Sequence, residues 1–201
     1  RNGRRDIDSY IMGTLFVDKL DPQSGTSLEI GSSGDTMTVP SGATFNVAGT
    51  LQSGGAALGN TPAFYAYLNT NQTGGTGADT IITLNAEAFD SDNAFNTTTY
   101  KFTPQTAGKY FLYGQARIDS GTDFNMLTNV ITLNGSQIAR GFNNNDYTNT
   151  VNVSTIVNMN GSSDYIQMFA MQNSGGDLAF AGSGSQANSG TYLMGYKLIG
   201  A

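Results

Sequence analysis

The chain contains no Cys and no His, so carboxylates are its only acid–base groups of ordinary catalytic pKa. Two pairs lie close in sequence, Asp90 with Asp92 and Asp119 with Asp123. A glycosidase would need two such groups roughly 5–10 Å apart. Both pairs sit in turn-like stretches, where Asp side chains ordinarily bond their own backbone. The same residues could hold Ca2+, since DSDNAF at 90–95 begins like a calcium loop. That loop type also needs Gly at its sixth position and Glu at its twelfth; here those are Phe95 and Lys101. The expectation is no enzyme, no catalytic residue and no cofactor, with Ca2+ at Asp90, Asp92, Asp119 and Asp123 as the weaker alternative. A third cluster, Asn143, Asn144, Asn145, Asp146 and Tyr147, sets planar amides beside an aromatic ring, a combination suited to sugar hydroxyls. It is the candidate receptor contact.

The missing Cys and His also remove a disulfide framework, the usual zinc sites and nucleophile–His catalysis. A net charge of −6 argues against a nucleic-acid face, because neutralising phosphates takes clustered cations. Arg1, Arg4 and Arg5 cluster only in a tail ahead of any periodic pattern. No segment approaches the ~20 apolar residues of a membrane-spanning helix.

Those residues must be positioned by strands. The 201 residues include 26 Gly and only 12% charged residues, and long amphipathic stretches are hard to find. Three parts are expected: an attachment segment over 1–25, a β-stranded stalk over 26–60, and a jelly-roll head over 61–201. In the stalk, Leu28 and Ile30, Met37 and Val39, Phe45 and Val47, then Leu51 alternate in short pieces, each followed by a turn cluster. So few large apolar side chains cannot offset the entropy of ordering that segment alone. Several identical chains, most simply three, would have to complete it.

In the head, strands are expected over 64–68, 80–84, 110–118, 126–133, 151–159, 165–171 and 192–199, with weaker runs at 136–140 and 178–181. Asn134-Gly135 and Asn160-Gly161 each separate alternating segments, and Asn-Gly suits a type I′ hairpin turn. Many short strands with frequent turns indicate a sandwich or jelly roll.

With those strands placed, residues 63–201 resemble the globular head of the C1q/tumour-necrosis-factor superfamily. Asp90, Phe95, Phe102, Gly108 and Tyr110 fit the spacing of its most recognisable hairpin. VNMNGSSDYIQM (157–168) is similar to the next strand, turn and strand, and Leu193, Gly195, Tyr196 and Leu198 to its closing strand. Leu84 and Leu112 stand where an aromatic is usual, and Gly114 replaces another. The resemblance implies an all-β, ten-stranded jelly roll that assembles as a homotrimer with a stalk entering one end. Phe64, Tyr65, Tyr67, Phe102, Tyr110 and Tyr113 would then serve core and trimer-seam packing.

The animal members carry collagen-type stalks, and no Gly-X-Y period runs through 1–60. The LEIG and TVPSGA pieces resemble instead the stalks of bacteriophage fibres, especially from marine phages. The expected function is therefore a virion structural protein: a trimeric tail or head fibre or spike. Residues 1–25 would dock to other virion proteins, and the tip would contact a host-surface glycan or protein or stiffen the appendage. The alternatives are a cellular, extracellular C1q-type recognition module and a glycan-degrading tail protein.

Overall fold

A computed structural model describes residues 20, 22, 24–49, 51–53, 56–57, 59–74, 76–119, 125–144, 149–176, 178–184 and 189–199. The chain divides into two compact units, Arg1–Ala48 and Gly49–Ala201.

The described part of the first unit contains turns and extended chain but no strand. The Asp35 N–H donates to the Ser32 carbonyl (3.0 Å), and the Ser32 N–H donates to the Asp35 carboxylate (2.7 Å). Leu28, Ile30, Met37, Val39 and Phe45 are all exposed, Ile30 by 65%. The alternation expected to make strands here thus finds no ladder partner and no apolar cover within one chain. A strand is stable only when both its backbone groups and its apolar face are satisfied.

The second unit carries fifteen strands among its described residues. They are β1 (Gln52–Ser53), β2 (Ala56–Ala57), β3 (Ala63–Tyr67), β4 (Gln72–Thr73), β5 (Thr80–Ile81), β6 (Ala86–Asp90), β7 (Phe95–Asn96) and β8 (Lys101–Phe102). There follow β9 (Gly108–Arg117), β10 (Leu127–Leu133), β11 (Ser136–Asn143), β12 (Thr150–Met159), β13 (Ile166–Gln172), β14 (Ala179–Phe180) and β15 (Tyr192–Lys197). No helix forms among the described residues.

Two antiparallel sheets face each other across the core. One runs β12-β9-β15-β3-β6; the other runs β11-β10-β13-β8-β7, with β5 also paired to β13. Consecutive strands repeatedly change sheet, as in a jelly roll. Phe64, Leu84, Tyr110, Leu112 and Leu193 pack from one side against Phe102, Leu127, Ile131 and Ile166 from the other. Along β9 the side chains of Tyr110, Leu112 and Ala116 are buried, while Phe111, Tyr113 and Gln115 are half-exposed. That two-residue period is what places an aromatic row on the outside.

Asn134 and Gly135 form the expected tight turn between the paired strands β10 and β11, with φ of 52° and 81°. Asn160-Gly161 does not make a hairpin. The strands it joins, β12 and β13, lie in different sheets. The Asn160 side-chain oxygen instead accepts from the backbone N–H groups of Ser162, Ser163 and Asp164 (2.9, 3.0 and 3.1 Å), shaping a wide corner. Only Gly161 there has positive φ.

Among the described residues, two buried side chains carry polar atoms without a hydrogen-bond partner, Asn129 and Ser183. Asn129 points inward from β10, is fully buried, and neither its Oδ1 nor its Nδ2 finds a partner among the described residues. It occupies the space over Gly114, where an added Cβ would lie 3.1 Å from the Asn129 Nδ2. An unmatched buried amide costs about 1–3 kcal/mol. Replacing Asn129 by Val should therefore raise stability by about that amount. Urea unfolding should show a higher midpoint at unchanged slope.

Candidate protein-interaction surface

The outer face of the sheet β12-β9-β15-β3-β6 is aromatic. Strand register sets Tyr65 beside Met194, Met194 beside Tyr113, and Tyr113 beside Ser154. A neighbouring row runs Tyr67, Tyr192, Gln115, Asn152, and another runs Ala63, Tyr196, Phe111, Ile156. Phe89 adjoins Tyr65 from the edge strand β6.

The rings touch in a chain. Tyr65 stacks on Tyr192 at 4.9 Å, Tyr192 stacks on Tyr113 at 5.9 Å, and Phe111 meets Tyr196 at 5.5 Å. Phe89 and Ile156 are 53% and 58% exposed, large apolar side chains at opposite margins of one face. Burial pushes the Tyr192 hydroxyl up to about 12, with Tyr113 adding to it, and pushes Tyr65 up further for the same reason with Tyr192 and Tyr113 adding. These two phenols stay neutral at physiological pH. Extended, half-exposed aromatic patches of this kind are candidate interaction surfaces.

Most of the other residues singled out from sequence lie off this face, several of them in the core. The Asp90 carboxylate accepts from the backbone N–H groups of Phe95 (2.7 Å) and Asp92 (3.3 Å). Phe95 and Phe102 pair across β7 and β8, and both stack on Phe64, Phe102 at 4.1 Å. Tyr110 meets Phe102 edge-on, and its hydroxyl donates to the Thr106 carbonyl (2.6 Å). Gly108 opens β9 at φ 143°. Gly195 is buried where a Cβ would press on Leu112 and Phe64, while Tyr196 joins the outer aromatic face. Of the six aromatic residues expected in core or seam, Phe64, Phe102 and Tyr110 are buried, and Tyr65, Tyr67 and Tyr113 lie on that face.

Asp92 accepts from the Ser91 hydroxyl. Asp119 follows β9 and accepts from the Asn71 side chain (2.6 Å); its sequence partner Asp123 lies outside the described residues. No group of three or more Asp or Glu converges among the described residues. Asn143 ends β11 and donates to the Thr150 carbonyl (2.9 Å), and Asn144 follows it. Asn145, Asp146 and Tyr147 lie outside the described residues, as does 1–19.

Phe111, Tyr192, Met194, Phe89 and Ile156 did not stand out in the sequence as members of a surface. The signal for three of them was present: Tyr110–Tyr113 and Tyr192–Tyr196 are apolar on both alternating faces. A run of that kind signals that the outward face is apolar as well as the inward one.

No family model matches the sequence, and no curated protein matches it. Solved structures do. Murine APRIL superposes with a TM-score of 0.51 over 68% of this chain and 98% of that one, at 14% identity. Eiger TNF from S. frugiperda gives 0.52 over 69% and 93%, at 12% identity. The fold is a tumour-necrosis-factor-like jelly roll. The globular domain of zebrafish complement 1qA protein is also matched, with a TM-score of 0.46 at 15% identity over 70% of this chain and 98% of that one. On the TNF-like jelly roll of this chain, the aromatic patch covers the sheet formed by β12, β9, β15, β3 and β6.

Proposed function

We propose that this chain is a homotrimeric, non-catalytic recognition or attachment module whose aromatic sheet face is the seam between copies. The observation that carries the reading is that face itself: uncharged rings in contact, half-exposed, on the outside of a TNF-like jelly roll. A closed cyclic assembly is the economical way to cover it, because each copy supplies the same patch. The exposed apolar pairs between Leu28 and Phe45 support the same conclusion independently, since identical chains could complete the stalk they imply. The non-catalytic reading is supported by Asp90, whose two oxygens are both engaged by backbone N–H groups.

Within that class, the stalk-like pieces of 26–54 favour a virion fibre or spike, attached through residues 1–25 and presenting three tips with the avidity of one rod. The fold favours an extracellular recognition module equally. Native mass spectrometry should return three times the 21.1 kDa of one chain; a single-chain mass would end the seam reading. Proteomics of purified particles separates the two settings, because only the fibre reading places the chain in a virion.

A further inference from the structure

On the opposite sheet, a shallow groove of about 240 Å³ is lined by Asp79, Val130, Thr132, Gly135, Gln137 and Phe169. We propose that this groove binds one neutral sugar ring. The register explains its shape: Arg140, Val130, Phe169 and Ile81 form one row across β11, β10, β13 and β5, with Thr132 and Gln137 paired beyond the bulge of β10 and β11. Phe169 and Val130 supply an apolar wall and floor, with the Phe169 side chain half-exposed. Polar groups face it. Thr132 is 5% exposed and donates its hydroxyl hydrogen to the Gln167 carbonyl (3.2 Å), which leaves its oxygen as an acceptor. The Gln137 oxygen accepts from the Arg140 Nε (2.8 Å), so that amide is oriented while its Nε2 hydrogens meet no acceptor among the described residues.

Charge decides the ligand class. Arg140 forms an ion pair with Asp79 and also donates to Thr128 (3.2 Å) and Gln137. Its side chain is 19% exposed and that of Asp79 36%. An anion would have to compete with Asp79 for Arg140. A wholly apolar ligand would cover the Thr132 and Gln137 polar groups without replacing their hydrogen bonds with water. Drug-sized ligands occupy pockets of ~300–1,000 Å³, so this groove takes something smaller. A pyranose ring satisfies each condition. Its C–H face lies on Phe169, its hydroxyls donate to Asp79 lone pairs and the Thr132 oxygen, and a ring-substituent oxygen accepts from Gln137.

The test uses the full chain and saturation-transfer NMR with glucose, galactose, mannose and N-acetylglucosamine offered separately. At least one sugar should receive saturation on its ring protons, and amide shifts should map to Thr132, Gln137 and Phe169. Gln137→Ala, at an exposed position, should weaken that sugar about tenfold, the size of one lost hydrogen bond. Phe169→Leu should abolish saturation transfer while leaving circular dichroism unchanged. Silence with all four sugars would overturn the site, as would binding that both variants leave intact or that maps to Asn143 and Asn144. None of these results alters the native mass, so the groove and the trimer stand or fall separately.

Discussion

On the proposed seam, Tyr113→Asp is expected to yield single chains of 21.1 kDa where the unmodified protein yields assemblies of three. Tyr113 lies on the outer face of β9, stacked on Tyr192 at 5.9 Å and flanked by Met194 and Ser154. In an isolated chain its replacement meets water, so the core beneath it (Tyr110, Leu112, Leu193) is untouched. In an assembly sealed through this face, the new carboxylate is buried among rings. Burying an unpaired ion costs several kcal/mol even after relaxation, and a threefold assembly bears that cost three times. The Arg117 side chain already donates to the Ser189 carbonyl. Lys109 precedes Tyr113 by four positions on the outward row, about 13 Å along the strand and too far to pair with the new carboxylate. Light scattering should therefore report a folded monomer. Ser136→Asp, at an exposed site on β11 in the opposite sheet, adds the same charge off this face and should leave the assembly whole. A Tyr113→Asp chain that remains trimeric would mean the copies meet through another surface.

Long strands with one buried face were legible in the sequence. Residues 108–117, 150–159 and 192–197 alternate because one side meets the core, and the expected spans differ from these by two residues at most. Ala86–Asp90 was not legible. It is an edge strand with Glu87, Ala88 and Phe89 exposed, so it carries no core alternation to read. The run from Thr80 to Leu84 was only half right. Its strand ends at Ile81, after which the Ile82 N–H bonds the Met168 carbonyl and the Leu84 N–H bonds the Ile82 carbonyl.

The two Asn-Gly pairs show why a local signal is incomplete. Both offer a residue tolerant of positive φ, yet which strands they join depends on contacts distant in sequence. Asn134-Gly135 links neighbours in one sheet, whereas Asn160-Gly161 turns the chain from one sheet to the other. The sugar groove was invisible for the same reason. Asp79 and Arg140 are 61 positions apart and meet only because β5 and β11 flank β13 and β10.

That second Asn-Gly corner is also where one methyl group should do most harm. Gly161→Ala places a side chain on a residue at φ 68°, which costs roughly 1–2 kcal/mol for strain alone. The new Cβ would also lie 2.2 Å from the Ala107 nitrogen, 2.6 Å from the Thr106 carbonyl carbon and 2.9 Å from the Ala107 Cα. These are backbone atoms, so relief requires moving the turn that starts β9 and carries the Thr106 carbonyl bonded by the Tyr110 hydroxyl. Strain and overpacking together should exceed ~4 kcal/mol, lowering the melting temperature by about 10 °C or more in a chain of this size. Two other glycines separate the contributions. Gly175, at φ 77° with nothing within 4 Å of an added Cβ, should lose only the strain when changed to Ala. Gly176, without positive φ and equally open, should change by less than ~0.5 kcal/mol. Equal losses for Gly161→Ala and Gly175→Ala would show that the 106–107 turn yields freely, and the close packing of that corner would then contribute nothing to stability.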